Sequence, residues 1–313
     1  MTEKRFLITG ANGDIGYNIA RILREKYSGS QIFGADAVGI WPAKAICDEV
    51  YTLPWASNAG YVNALIDLAK KLNPTAILVY NEAELRCIAE QHAAVTGLPL
   101  LGFSPALIRL FTDKLDTAVW LSEHGFPMPK TTLLSAARSE DLPIIIKPRR
   151  GSGSRGIEIV NSLARLQVAQ MERAADTVAQ AYIGSAENEY TCAVIRLGGA
   201  VRTLVMQRWL TGGMSGRITI KALPEIEILL RRIAEKVELN GVLNVQLRLA
   251  EDGAQIFEIN PRFSSTVMMR HRLGFEDLCW LIEYQAGCNL PEFSAVAEMR
   301  VFRVSDEVVV SPC

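Results

Sequence analysis

The residues best suited to chemistry sit in two stretches. In the first, Ile144 to Val160 (IIIKPRRGSGSRGIEIV), Lys147, Arg149, Arg150 and Arg155 surround a loop of Gly151, Ser152, Gly153, Ser154 and Gly156. Glycine lets backbone N–H groups approach phosphate oxygens and cations neutralise the charge, so such a loop is suited to cover a polyphosphate. A basic surface hairpin has the same composition, and the stretch alone does not separate the two.

In the second, Val242 to Arg262 (VLNVQLRLAEDGAQIFEINPR), two alternating runs flank Glu251-Asp252-Gly253. A three-residue loop with Gly253 in the left-handed position pairs Ala250 with Ala254. Gln246 then faces Glu258, Asn244 faces Asn260, and opposed residues share one side of the sheet. That side carries Asn244, Gln246, Arg248, Glu258 and Asn260, while Val245, Leu247, Leu249, Phe257 and Ile259 form a core side. Oxygen ligands beside a phosphate are what magnesium uses, and Arg262 could hold a developing negative charge. A two-residue loop would shift the alignment by one residue. A solvated polar sheet face is the plain alternative.

A third candidate is the turn Gly10-Ala11-Asn12-Gly13-Asp14-Ile15-Gly16. It is similar to the short-chain dehydrogenase fingerprint, with Asp36 placed to hold a ribose. That chemistry needs a tyrosine with a lysine four residues on. The residues four after the eight tyrosines are Arg21, Gln31, Trp55, Leu65, Glu84, Ala186, Val194 and Cys288, and none is lysine. Any tight strand-to-helix turn wants glycine, so the turn alone is a weak signal.

The elements that must position these groups follow from periodicity. Strand Arg5 to Thr9, a helix to about Lys26, strand Gln31 to Ala35, helix Tyr61 to Leu72, strand Ala76 to Tyr80 and helix Glu82 to Val95 alternate as in a parallel sheet. Composition shifts near Gly97 to Pro105. Asp113 caps a helix from Lys114 to Glu123, closed by Gly125. A helix near Ser162 to Arg173 and a strand Thr177 to Ile183 follow the basic loop. Strands Glu189 to Arg196 and Val201 to Arg208 turn at Gly198-Gly199, and Thr211 to Gly216 (TGGMSG) reads as a second glycine-rich loop. A helix spans Pro224 to Leu239. Phe275 to Gly287 is an amphipathic helix that packs on the core or on a partner.

The chain has 313 residues, enough for two or three domains, with 49% hydrophobic and 21% charged residues, as a globular protein has. A net charge of -1 offers no surface for nucleic acid. The apolar runs are too short to span a membrane, and the charged start MTEKRF runs into a strand, unlike a signal peptide. Six cysteines stand singly and there are only three histidines, which argues against zinc and for reduced thiols in a cytoplasmic protein.

Together, Lys114, the Lys147 loop, the segment after Gln180, Glu189 and the Gln246/Glu258/Asn260 hairpin resemble, in their order, the ATP-grasp superfamily. The likeness is to its branch of carbamoyl phosphate synthetase large subunits, biotin carboxylases and carboxylate–amine ligases, and covers roughly Lys4 to Met269. It implies an α/β fold: a Rossmann-like domain over 1–104, a small lid over 105–183 and a larger antiparallel lobe over 184–313. It implies ATP and magnesium, with manganese as a substitute, and small-molecule carboxylate and nucleophile substrates in a protein compatible with homo-oligomers.

By the same resemblance, Lys114 and Lys147 contact the ATP phosphates and Gly151, Ser152, Gly153, Ser154 and Gly156 form a mobile lid, with Arg155 arriving on closure. Gln180, Ala181, Tyr182 and Ile183 hold adenine, Glu189 the ribose, and Gln246, Glu258 and Asn260 one or two metal ions. Arg262, with Lys147 and Arg155, serves the acyl-phosphate transition state, and Ser264, Ser265, Arg270 and Arg217 are candidate substrate contacts. Gln180 stands where relatives often have glutamate, and Phe263-Ser264-Ser265 lacks the second arginine of the synthetase. One ATP-grasp unit with neither glutaminase nor biotin-carrier sequence disfavours carbamoyl phosphate synthesis and biotin carboxylation. The expected reaction is ATP-dependent joining of a carboxylate, through its acyl phosphate, to an amine. A nicotinamide-dependent reductase or epimerase and a non-catalytic nucleotide binder are the alternatives.

Overall fold

The first strand, β1 (Arg5–Thr9), is buried from Phe6 onward on both faces, as a strand inside a parallel sheet must be. Helix α1 (Asp14–Lys26) and strands β2 (Gln31–Asp36) and β3 (Glu49–Thr52) follow, then α2 (Tyr61–Leu72) and β4 (Ala76–Leu78). The computed structural model describes residues 4–304 and 307, apart from 40, 41, 152, 154, 155 and 174. The sheet runs β3-β2-β1-β4, all parallel. Strand β4 stops at Leu78, short of the expected Tyr80, because Tyr80 folds back to place its hydroxyl on Gly10 O. That contact explains Gly16, where a Cβ would lie 2.0 Å from the Tyr80 hydroxyl and 2.9 Å from Gly10 O. The helix expected over 82–95 is two, α3 (Glu82–Glu90) and α4 (His92–Val95). The chain bends at Gln91, and Val95 joins the core beneath α2.

Next come α5 (Pro105–Phe111) and α6 (Lys114–Glu123), whose cap Asp113 accepts the Leu115 N–H at 3.0 Å. Strands β5 (Thr131–Leu133), β6 (Ile144–Pro148) and β7 (Glu158–Val160), helix α7 (Leu163–Arg173) and strand β8 (Thr177–Ala181) make a small lobe. Its sheet is antiparallel in the order β5-β8-β6-β7. Leu134, Ile144, Ile146, Val160, Leu166 and Ala179 form its own core. The basic glycine loop joins β6 to β7, two antiparallel neighbours. Of the residues expected in this loop, Ser152, Ser154 and Arg155 lie outside the described residues.

The third sheet is antiparallel and built from β9 (Glu189–Leu197), β10 (Ala200–Thr211) and β11 (Met214–Ile220), then α8 (Pro224–Lys236), β12 (Gly241–Ala250) and β13 (Gly253–Asn260). Helices α9 (Val267–His271) and α10 (Asp277–Gln285) precede the edge strand β14 (Arg300–Phe302), giving the order β13-β12-β9-β10-β11-β14. Helix α8 covers one face through Ile226, Leu230 and Ile233. The other face packs with α10 and α1 in a core shared with the parallel sheet, so the Phe275–Gly287 segment spends its apolar side on this chain. Thr211 to Gly216 is not a loop. Gly212 and Gly213, at φ 58° and 80°, make a tight turn and β11 begins at Met214.

The β12–β13 hairpin differs from expectation at its tip and agrees at its base. Ala250 pairs with Gly253, so the loop has two residues, the case that should misalign the polar side. A bulge between Gln246 and Leu247 restores the register: Leu247 pairs with Ile256, Gln246 with Glu258, and Phe257 is the extra residue. Ile256 therefore takes the core position, 1% exposed, and Phe257 leaves it. No described helix is long and apolar enough to cross a membrane.

Candidate active site

The base of the hairpin, the end of β6, the start of α6 and the glycine turn after β1 enclose a cavity of about 430 Å³. Lys114, Lys147, Gly151, Gly153, Gln246, Glu258 and Arg262 line it, with Asp14, Tyr80 and Glu82 on the parallel-sheet side. A second cavity of about 220 Å³ has apolar walls from Ile145, Ile157, Leu210 and Phe257, with the chain Gln180-Ala181-Tyr182-Ile183 along its edge. Lys147, Ile157, Arg208, Gln246 and Glu258 line both.

Lys147 stands at this junction, 4% exposed. Its ammonium donates to Gln180 Oε1 at 2.8 Å and lies 5.4 Å from the centre of the Phe257 ring. Burial pushes its pKa down to about 8, against the pull of Glu258. Burial works to raise the Glu258 carboxyl, but Lys114, Lys147 and the Asn260 amide at 3.0 Å outweigh it and hold the carboxyl below its ordinary value. Lys114 donates to Gly151 O at 2.7 Å, tying the loop to α6. Arg149 and Arg150 leave the cavity and pair with Asp113, at 2.7 and 3.4 Å. Gly156, at φ 71°, closes the loop against Pro148.

Three oxygen-bearing side chains share one side of the hairpin. Gln246 Oε1 accepts from Arg208 at 2.7 Å, and Asn260 Oδ1 accepts from Arg262 at 3.2 Å. Arg262 also donates to Phe263 O at 2.9 Å, and burial lowers its pKa against the pull of Glu82 and Glu258. Its remaining surface faces the cavity.

Along the smaller cavity, the Gln180 amide is committed at both ends, donating to Thr131 Oγ1 at 2.9 Å while its oxygen holds Lys147. The Ile183 carbonyl accepts from Arg248 at 3.1 Å. Glu189 sits between two arginines, Arg208 at 2.6 Å and Arg248 at 2.7 Å. Arg248 opposes Glu189 in register, and Arg208 lies one residue past the Gln207–Tyr190 pair on the other flank. The three make a row of alternating charge across adjacent strands.

Two expected substrate contacts point elsewhere. Arg270, 2% exposed, is locked to Asp277 at 2.7 Å and donates to Ser264 and Thr266. Arg217 stacks on Trp209, 3.8 Å from the ring centre, outside the lining of the cavity. Ser264 and Ser265 do line it. Phe257, assigned to the core from sequence, lines the smaller cavity, because the bulge turns it there.

Four residues escape sequence reasoning. Arg208 looks like the end of an apolar strand, and its partners appear only once the register is known. Phe257 needs the bulge. Glu82, next to the cap Asn81, reads as an ordinary acid in the first turn of a helix. Arg303, far along the chain, contacts the Asp14 carboxylate, Ser265 O and Ser215 O, three residues of the cavity wall, and no local pattern announces it.

At the glycine turn Tyr80 lies against Gly10 and Gly16. Asp36 accepts the Asn12 N–H at 2.9 Å and the Val38 N–H at 3.2 Å. Away from the cavity, His271, Glu276 and Cys279 bring one ligand atom each within 4.8 Å of one another. Glu276 there is paired with Lys26 at 2.6 Å.

Comparison with known proteins agrees with this layout. The family model described as an ATP-grasp domain matches residues 111–266, and the one described as a PylC-like N-terminal domain matches residues 6–100. The carbamoyl phosphate synthase large chain of Micrococcus luteus is 31% identical over 204 residues, 56% of this chain and 18% of that one. The Streptomyces coelicolor large chain is 29% identical over 198 residues, 55% of this chain and 18% of its own length. The chain thus spans less than a fifth of the length of these relatives. Among solved structures, an ADP complex of N5-carboxyaminoimidazole ribonucleotide synthetase superposes with a TM-score of 0.76 at 18% identity, over 94% of this chain and 79% of that one. The L-amino acid ligase of Bacillus licheniformis gives a TM-score of 0.71 at 16% identity, over 90% and 73%. These likenesses establish the mixed α/β ATP-grasp fold.

Proposed function

The chain belongs to the ATP-grasp superfamily, its ATP-grasp domain lying behind a PylC-like N-terminal domain, and on that premise we propose that it is an ATP-dependent carboxylate–amine ligase. The observation that carries the reading is the junction of two cavities at Lys147, Arg208, Gln246 and Glu258. An apolar slot suited to a purine opens there into a polar chamber suited to phosphates and a second substrate.

Adenine occupies the slot between Ile145, Ile157, Leu210 and Phe257, read by the backbone of residues 181–183. The Gln180 side chain serves Lys147 instead of the base. Glu189 reaches the ribose from between its two arginines. Lys114, Lys147 and Arg208 spread the phosphate charge, which is the main work of a phosphoryl-transfer site. Gly151, Gly153 and Gly156 let the loop close over the phosphates and keep water from the acyl phosphate. We assign Ser152, Ser154 and Arg155 to the same loop.

Gln246, Glu258 and Asn260 fit a magnesium or manganese ion, since they bring hard oxygen atoms and one half-buried carboxylate to a single side of the sheet. When bound, the ion neutralises phosphate oxygens and draws electron density from phosphorus. A substrate carboxylate at Arg262 attacks the γ-phosphorus, and the bond to the ADP oxygen breaks. An amine then displaces phosphate from the acyl carbon. The lobes proposed for this work are 1–104, 105–183 and 184–313.

The test is an ADP-release screen over paired carboxylates and amines, with products identified by mass spectrometry. ATP binding with no ADP release across a broad panel would favour a nucleotide-binding protein without turnover.

A further inference from the structure

Glu82 lines the larger cavity and is 8% exposed, yet the mechanism above gives it no task. Helix α3 does not require it as a cap, because Asn81 accepts the Ala83 N–H. Its Oε1 accepts the N–H of Gly151, the first residue of the glycine loop, at 2.8 Å. Asp14 is paired with Arg303, and Glu258 feels Lys114 and Lys147. Glu82 and Arg262 line the same cavity, and Glu82 is first among the charges that counter the effect of burial on Arg262. A carboxylate drawn to Arg262 therefore meets an anion beside it. Bicarbonate or a bare carboxylate gains from one and loses to the other. A carboxylate followed by an ammonium ion satisfies both.

We infer that Glu82 binds the protonated amine of the acceptor and takes its proton as the amine attacks, so that the acceptor is a primary amine charged at neutral pH. This rests on the ligase reading. An ammonium ion has no free electron pair, and a buried carboxylate in contact with it can accept a proton. One N–H proton passes to Glu82, and the freed pair attacks the acyl carbon. The C–N bond forms, the C–O bond to phosphorus breaks, and phosphate leaves with that electron pair and the second amine proton. Glu82 then returns its proton to water. Acyl phosphate and ammonium thus give amide, hydrogen phosphate and one proton. Because the same carboxylate holds Gly151, the acceptor docks against a loop already anchored at its first residue.

The experiment uses the full chain with ATP and magnesium. Hydroxylamine, uncharged at neutral pH, first traps the acyl phosphate as a hydroxamate over a panel of carboxylates. With the best carboxylate, kcat/KM is then measured for hydroxylamine and for primary amines in the wild type, Glu82→Gln and Glu82→Asp. Glutamine keeps an oxygen for the Gly151 N–H. It should lower kcat/KM for the amines by about 100-fold, and at least about 10-fold more than for hydroxylamine. Aspartate, which keeps the charge, should recover part of the loss. Equal losses for both nucleophiles, as when Glu82 reads the carboxylate donor or merely holds the loop, overturn the assignment. So does a wild-type preference for uncharged nucleophiles. Hydroxamate without that discrimination sinks Glu82 alone; no hydroxamate from any carboxylate sinks the ligase reading and the assignment with it.

Discussion

The Lys147 ammonium and the Gln180 amide oxygen, 2.8 Å apart, join the strand before the glycine loop to the strand that leads out of the small lobe. The lysine is held almost without solvent, and its pKa falls to about 8. In the unfolded chain it returns to its ordinary value near 10.4. Between those two values the unfolded state binds more protons, so stability rises with pH through that window. Phosphate binding runs the other way, because it needs the charged form. The KM for ATP should climb as pH passes about 8, and Lys147→Arg, always charged, should flatten that climb. A pH series of ATP titrations on both proteins checks it; identical profiles would remove Lys147 from the nucleotide site.

Glu258→Gln keeps the shape of the hairpin and removes the carboxylate charge from its polar side. Turnover should drop by about 100-fold or more, and the magnesium requirement should shift to higher concentration. Chelation of the metal should stop ADP release in the wild type and return it on re-addition. Full activity in the variant would end the metal assignment.

Phe257 and Ile256 should exchange the roles that simple alternation gives them. Ile256→Ala opens the core and should cost about 2–5 kcal/mol of stability. Phe257→Ala should cost about 1 kcal/mol or less and instead weaken nucleotide binding by roughly 10-fold, the loss of one aromatic wall. Urea unfolding and ATP titration separate the pair.

Gly16→Ala drives a methyl group into the Tyr80 hydroxyl and Gly10 O. A loss of about 1–3 kcal/mol is expected, as for an overpacked core. Tyr80→Phe in the same chain should recover only a part, since the ring carbon beneath the hydroxyl lies 2.8 Å from the same Cβ. Thermal unfolding of the single and double variants measures it.

The order of the elements was legible because local rules carry it: buried runs for β1 and β2, the Asp113 cap, glycine turns at Gly125 and Gly198-Gly199. The meeting of Lys114, Lys147, Gln246, Glu258 and Arg262 at one cavity was foreseeable from the family's order, while the register argument reached the Gln246–Glu258 pair only because the bulge offsets a shorter turn than expected. The remainder depends on partners distant in sequence. Alternation cannot place a bulge, so Ile256 and Phe257 were exchanged. Arg270 and Arg217 look free as letters, while Asp277 and Trp209 claim them in space. Arg208 and Glu82 look like routine strand and helix residues until three elements converge on them.

The contact between Arg303 and Asp14 ties residues 289 positions apart. On a ribosome the parallel sheet emerges first and has its own core, and domains fold as units from the N-terminal side. The chamber wall at Asp14, Ser215 and Ser265 stays unlatched until Arg303 arrives behind β14. The nascent chain can thus hold a folded first domain and a folded sheet while lacking a finished substrate chamber.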